Sequence, residues 1–297
     1  MAYKLYEREN STMNTRRSSR YFLFVLFSTL FLLSACQPAA LEPIQPPVQP
    51  TAAAVVLDTQ TLPTATPVVL DTQPTQLSSG AAGDIILDYA AVAQDVSVET
   101  VAAQPDSAGG PYWDAAPEYR RLTLEGYTVA NHLHKPQILI YPAGELASFN
   151  ENAGKITADL AALLGTRQAG GHLPFLPLFN AAQVMHAQVQ YLDFKSGTGV
   201  RFLTQFDQAP LPINNNELFY TFQGLTTDGK YYIAAVLPVT HPDLPSGPEV
   251  SEQQAEALDD FPGYLSEVVT LLEGQPAGSF TPDLDTLDAM IRSIEVK

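Results

Sequence analysis

The spacing of apolar residues changes character several times along the chain, and each change marks an element. Residues 21–33 form one apolar run, too short to cross a bilayer comfortably and of the length of a signal-peptide core. Residues 37–83 show no apolar period. From residue 84 the pattern becomes regular. Residues 84–89 and 94–101 read as strands, the second alternating apolar and polar. Gly109-Gly110-Pro111 breaks the chain. Residues 120–129 then alternate, with Leu122 and Leu124 facing inward and a shift at Gly126 that turns Tyr127 and Val129 inward. Residues 137–141 read as a buried strand. Ile156, Leu160, Leu163 and Leu164 follow i, i+4, i+7, i+8 spacing, which predicts a helix over 151–164 stopped by Gly165.

Two hairpins are expected over 184–239. In the first strand Met185, Ala187, Val189, Tyr191 and Asp193 share one parity, and Val184, His186, Gln188, Gln190, Leu192 and Phe194 the other. A turn over 195–199 leads into 200–206. The second hairpin runs 217–225, turns at Asp228-Gly229 and returns over 231–239; Asp-Gly between β-rich runs is a strong local hairpin signal. These four strands predict an antiparallel meander. The C-terminal part has helical period. Ser251 with Gln254 reads as a capping box. Leu258, Phe261, Leu265, Val268, Val269 and Leu272 give 252–273 an apolar face, and Pro262-Gly263 predicts two helices or a kink there. Thr281 as N-cap and Pro282 at the first helical position predict a helix over 282–293 that buries Leu284, Leu287, Met290 and Ile291. Residues 294–296 fit a short closing strand. Strands followed by helices indicate one α+β domain over 84–297.

Charge changes the picture at the N-terminus. Arg16, Arg17 and Arg20 precede the apolar run and supply the flank that stays inside. Leu33-Ser34-Ala35-Cys36 follows it, and then the polar Gln37. The pattern resembles the lipobox of bacterial lipoproteins. That resemblance implies that residues 1–35 are a signal peptide removed on export, and that Cys36 is acylated and becomes the new N-terminus. It also implies a lipid anchor in the cell membrane or outer membrane, on the extracytoplasmic face. Residues 1–12 are long and polar for a signal peptide, so initiation at Met1 or at Met13 stays open. Residues 36–83 are rich in Pro, Ala, Thr and Gln and hold no Lys or Arg. They are expected to form a disordered tether with a reach of roughly 35–40 Å. The imperfect repeat at 55–60 and 68–73 fits local duplication in a linker.

From Cys36 onward the chain has 10 Lys and Arg against 30 Asp and Glu. Such a surface repels nucleic-acid phosphates and anionic lipid heads, so membrane contact is left to the acyl chains. Cys36 is the only cysteine. Once it is acylated, disulfides, zinc–thiolate sites and cysteine nucleophiles are excluded. The order of an antiparallel sheet and a C-terminal helix running into Ser293-Ile294-Glu295-Val296 also resembles PsbP-type extrinsic photosystem proteins. That resemblance implies a layered sandwich and transfers no residue role.

Candidate chemistry is sparse. Asn214, Asn215 and Asn216, with Phe202, Phe206, Phe219, Tyr220 and Phe222 close by, fit a site for a polar ligand such as a glycan or peptide. The competing reading, an Asx-rich loop flanked by core aromatics, carries more weight. His132 and His134 would place two imidazoles together as some metal sites do, but no third ligand is evident, and loop histidines before Lys135-Pro136 are the better account. Asp283, Asp285 and Asp288 suit dipole compensation at a helix start. The apolar stretch 173–179 either folds over the core or forms a contact patch. The nucleophile-elbow, zinc-helix, Walker and dinucleotide motifs do not occur, and no cofactor is implied. The expected function is a non-enzymatic, lipid-anchored surface module that binds an extracytoplasmic protein or glycan. The alternative is an extracellular hydrolase with a site of dispersed residues, which needs a perturbed carboxylate or an activated serine in a cleft.

Overall fold

The alternating segments assemble into one sheet in the computed structural model, which describes residues 84–106, 109–168 and 171–297, the side chains of 252–254 excepted. The segments expected to be a lipobox and a tether with its repeat, and the Gln254 half of the expected capping box, lie outside the described residues. Strands β2 (Asp95–Val101), β3 (Tyr119–Glu125), β4 (Gln137–Pro142), β5 (Ala182–Phe194), β6 (Gly197–Asp207), β7 (Phe219–Thr226) and β8 (Tyr231–Pro238) lie in the order β2-β3-β4-β8-β7-β6-β5. Every neighbouring pair is antiparallel. The meander β5 to β8 is therefore present, and β4 extends it along β8. Short β1 (Ile85–Ile86) pairs with β9 (Glu295–Val296), closing the domain's two ends on each other. The chain is α+β.

The β7–β8 turn shows why Asp-Gly works. Asp228 Oδ1 accepts from the Thr226 hydroxyl at 2.7 Å and from the Lys230 N–H at 3.1 Å, and Gly229 takes φ 70°. The single parity expected along β5 does not hold. Met185 and Ala187 share a core with Leu192 and Phe194, while Val189 and Tyr191 pack on the opposite face. The pairing with β6 skips between Ala187 and Gln190, with Gln188 at φ 55°. One extra residue in a bulge resets the alternation. The freed Gln188 N–H donates to Glu273 Oε1 at 2.8 Å, and its Nε2 donates to the Leu272 carbonyl at 2.8 Å, so the bulge docks a helix.

Helices cover both faces of the sheet. On one face α4 (Phe261–Glu273) and α5 (Leu284–Arg292) bury Leu272, Leu284, Leu287 and Ile291 against Tyr220, Phe222, Ile233 and Leu237. Short α3 (Glu252–Leu258) precedes α4, so the region around Pro262-Gly263 forms two helices, with Asp260 capping the second. On the other face α2 (Glu151–Thr166) follows the one-turn α1 (Leu146–Phe149) and buries Leu160 against Leu139, Phe202, Tyr232 and Ala234. Asn150 caps α2, its Oδ1 accepting from the Asn152 and Ala153 N–H groups.

The last helix begins later than the sequence signal placed it. Asp283 is its N-cap, accepting from the Thr286 N–H at 2.9 Å, and Thr281 instead pairs through its backbone with Thr240. Asp288 does not serve the helix start either. It is fully buried and faces the sheet, 3.3 Å from Arg201 Nε, accepting from the Tyr220 hydroxyl at 2.9 Å, with Arg292 3.7 Å away. Burial pushes its carboxyl up, and Arg201, Tyr220 and Arg292 pull it back down. This group ties α5 to β6 and β7.

Candidate functional site

The α2 face of the sheet carries a loop that should not be stable without help, because its backbone lies over apolar side chains. Leu173, Phe175 and Leu176 are buried there, folded over Phe202, Phe219 and Val200. Two glutamines meet the buried backbone. Gln183 accepts from the Leu173 N–H at 3.0 Å and donates to its carbonyl at 3.4 Å. Gln223, fully buried in β7, accepts from the Leu176 N–H and donates to its carbonyl, both at 3.0 Å. It also accepts from the Tyr232 hydroxyl at 2.6 Å. Each side-chain amide acts as a one-residue strand partner, which satisfies groups that would otherwise be orphaned.

Beyond the clamp, Leu178 and Phe179 rise as a ridge with a cleft on each side. The first cleft, about 530 Å³, lies against α2 and is walled by Ile156, Leu163, Phe175 and Phe206, with Asp159 and His172 also lining it. The second, about 440 Å³, lies over β3 and β4. Trp113, Tyr119 and Tyr141 line it with Gln104, Asp114 and Gln137, and Asn180 and Arg121 complete the wall. Arg121 is partly engaged: its terminal nitrogens donate to the Tyr119 hydroxyl at 2.7 Å and to Glu99 at 3.4 Å, while its buried Nε has no hydrogen-bond partner among the described residues. Both volumes fall in the range of small-molecule sites.

The histidine pair is built into the base of the ridge. His132 and His134 stand in the β3–β4 loop. His132 Nδ1 accepts from the His134 N–H at 3.0 Å, so Nε2 carries the proton and donates to the Leu218 carbonyl at 2.9 Å. Both nitrogens of His132 are thus used. His134 stacks on Phe179 at 5.0 Å and meets Phe219 edge-on at 4.7 Å. Burial, aided by His132, holds its pKa down to about 4, so it packs as a neutral ring. Among the described residues no group of three His, Cys, Asp or Glu could hold a metal.

Two of the three asparagines in this loop, Asn214 and Asn215, spend their side-chain amides on the fold. Asn214, fully buried, donates to Glu217 at 2.7 Å and to the Pro212 carbonyl at 3.0 Å, and accepts from the Asn216 N–H. Asn215 donates to the carbonyls of His241 and Leu244. Asn216 accepts from the Leu133 N–H through its carbonyl. Tyr220 is fully buried against Asp288. This is the arrangement of an Asx-rich loop on core aromatics, and it leaves Asn214, Asn215 and Tyr220 no free polar group for a ligand.

Beneath that loop Gln205 Nε2 donates to Asp207 at 2.8 Å and to Glu217 at 3.2 Å. Burial raises the Asp207 carboxyl to about 6, with Glu217 adding and Gln205 opposing. The folded state therefore holds this proton more tightly than the unfolded chain, whose Asp titrates near 4. Stability contributed by the protonated form is full below about 4 and is lost as pH rises through about 6. Asp207→Asn should raise stability by about 1–2 kcal/mol at pH 7.5, with the gain shrinking toward pH 4. Urea midpoints at the two pH values check this; a gain independent of pH would contradict it.

A serine, a histidine and an aspartate that are scattered in sequence also meet. His241 Nε2 lies 3.1 Å from Ser279 Oγ, and Asp243 Oδ2 lies 3.8 Å from His241 Nδ1. The wiring opposes catalysis. Nδ1 accepts from the Asp243 N–H, so Nε2 carries the proton and donates to Ser279, whose own hydroxyl donates to the Pro276 carbonyl at 2.7 Å. An activated serine gives its proton to the histidine instead. Comparison of the chain with protein families, with curated proteins and with solved structures finds no match.

Sequence reasoning missed Trp113, Gln183 and Gln223. The signals were there: the chain's one tryptophan sits in a break bounded by Pro111 and Pro117, and Gln223 shares the inward parity of Phe219 and Thr221.

Proposed function

We propose that this chain is an exported bacterial lipoprotein, anchored through acylated Cys36, whose folded domain binds a ligand without turning it over. The observation that carries the binding half is the 440 Å³ cleft beside Trp113. Gln104, Asp114, Gln137 and Asn180 line it, and their side chains make no hydrogen bond within the described residues. The other notable polar groups, Asn214, Asn215, Gln223 and Ser279, are committed to the fold. The anchoring half is supported by Leu33-Ser34-Ala35-Cys36 behind Arg16, Arg17 and Arg20, with residues 36–83 as spacer. Among the described residues no helix is long and apolar enough to cross a membrane. The PsbP-type resemblance rests on an antiparallel sheet followed by a C-terminal helix, and it lends no ligand.

A hydrolase is the second reading. Ser279 beside His241 and the raised Asp207 favour it, yet none of the three lines either cleft. The anchor is tested by Cys36→Ser. The wild-type protein should incorporate labelled palmitate, and the variant should take up none and persist as an uncleaved precursor. Labelled palmitate on the variant would overturn the anchor.

A further inference from the structure

We infer that the Trp113 cleft is a subsite for a neutral oligosaccharide. The inference rests on the ligand-binding reading above and names the ligand class. A sugar ring has two kinds of surface. Its C–H face is apolar and weakly positive, and it packs on the negative face of an aromatic ring. Its hydroxyls each donate and accept, and they need planar side chains at the rim that do both. The cleft supplies both kinds of partner. Trp113 is partly buried on one wall, with the more exposed Tyr112 edge-on to it at 5.2 Å and 78°. Gln104, Gln137 and Asn180 offer amides with unspent donors and acceptors, and Asp114 offers a carboxylate.

The platform is fixed before any ligand arrives. Residues Tyr112–Asp114 form a single 3-10 turn, closed by the Asp114 N–H donating to the Pro111 carbonyl at 3.0 Å. Asn150 Nδ2 donates to the Tyr112 carbonyl at 2.6 Å, and the same Asn150 caps α2. The turn that carries the indole is thus fastened to a helix N-terminus, and Gln137 stands on β4. A site held by rigid elements loses less entropy on binding.

Charge selects against acidic sugars. The one cation among the described residues that line the cleft, Arg121, already faces Glu99 and the Tyr119 hydroxyl. Asp114 adds a negative charge, and from Cys36 onward acidic residues outnumber basic ones 30 to 10. An anionic ligand would meet an opposing field. A proline-rich peptide is the main competitor, because such peptides dock on aromatic grooves. Proline carbonyls could accept from the lining amides, but proline has no N–H for the amide oxygens, so such a peptide uses only the donor half of what Gln104, Gln137 and Asn180 offer, whereas sugar hydroxyls use both.

Trp113 is the only tryptophan, so intrinsic tryptophan emission reports this cleft alone. The full chain in detergent is titrated with N-acetylchitotriose, cellotriose and maltotriose. At least one should shift the emission saturably, with Kd below about 5 mM. Gln137→Ala and Asn180→Ala should each weaken that binding by about fivefold, as expected for one lost hydrogen bond, with the urea midpoint unchanged. No saturable shift with any of the three sugars, or equal binding by both variants, overturns the inference. A shift with a peptide of residues 41–67 and none with sugars overturns the sugar assignment and leaves ligand binding standing. A sugar that binds and is recovered cleaved upholds the ligand class and removes the non-enzymatic reading.

Discussion

Asp288→Ala should destabilise the protein by about 3–5 kcal/mol. The substitution strips Arg201 of its counter-charge inside the sheet, where the Arg201 side chain is only 5% exposed. Arg201 also donates to Gln188 O and Gln190 Oε1, so it cannot swing out to water without opening the β5 bulge. Tyr220 loses the only acceptor its buried hydroxyl has among the described residues as well. Arg292→Ala is the control. It removes the third member of the group, but its side chain is 48% exposed and 3.7 Å away, so the cost should stay under about 1 kcal/mol. Urea unfolding of the two variants measures both. Similar losses for the pair would mean that Asp288 serves the helix surface and not the sheet.

Gln223→Ala should cost about 3 kcal/mol and open the clefts together. One buried amide satisfies the N–H and the carbonyl of Leu176 and the hydroxyl of Tyr232. Alanine leaves all three without partners, at about 1 kcal/mol or more each. The loss has a local signature, because Leu176 is two residues from the Leu178–Phe179 ridge that lines both clefts. Hydrogen exchange at the Leu176 amide should speed up toward the rate of global opening, and saccharide binding should weaken with it. Protection at Leu176 equal to wild type would show that the loop is held by its apolar contacts alone.

These residues also mark where the sequence could be read and where it could not. Strands with one face buried announce themselves by period two, and Asp228-Gly229 fixes the β7–β8 register. Ile156, Leu160, Leu163 and Leu164 place α2 within two residues of its observed end. The parity of β5 fails because a bulge at Gln188 needs a positive φ from a residue with no particular preference for it. The start of α5 fails because Pro282 fits a first helical position, while Asp283 one residue later makes the capping bond. The asparagine loop was legible as turn chemistry, but its carboxylates were not, since Asp207 and Glu217 meet only through Gln205. The Trp113 cleft was hidden for a different reason. Its walls come from the loop before β3, from β3 and β4, and from the loop before β5. No local window holds them together, and only the sheet order does.

The most direct measurement uses the same economy of tryptophan. A single indole N–H gives a single resonance in an isotope-labelled spectrum of the full chain in detergent. On titration with the saccharide that shifts the fluorescence, that resonance should move together with the side-chain amides of Gln137 and Asn180, and the saccharide should be recovered intact. An unmoved indole signal, with changes confined to the surroundings of Asp207 or Ser279 or with cleavage products in solution, would contradict the account.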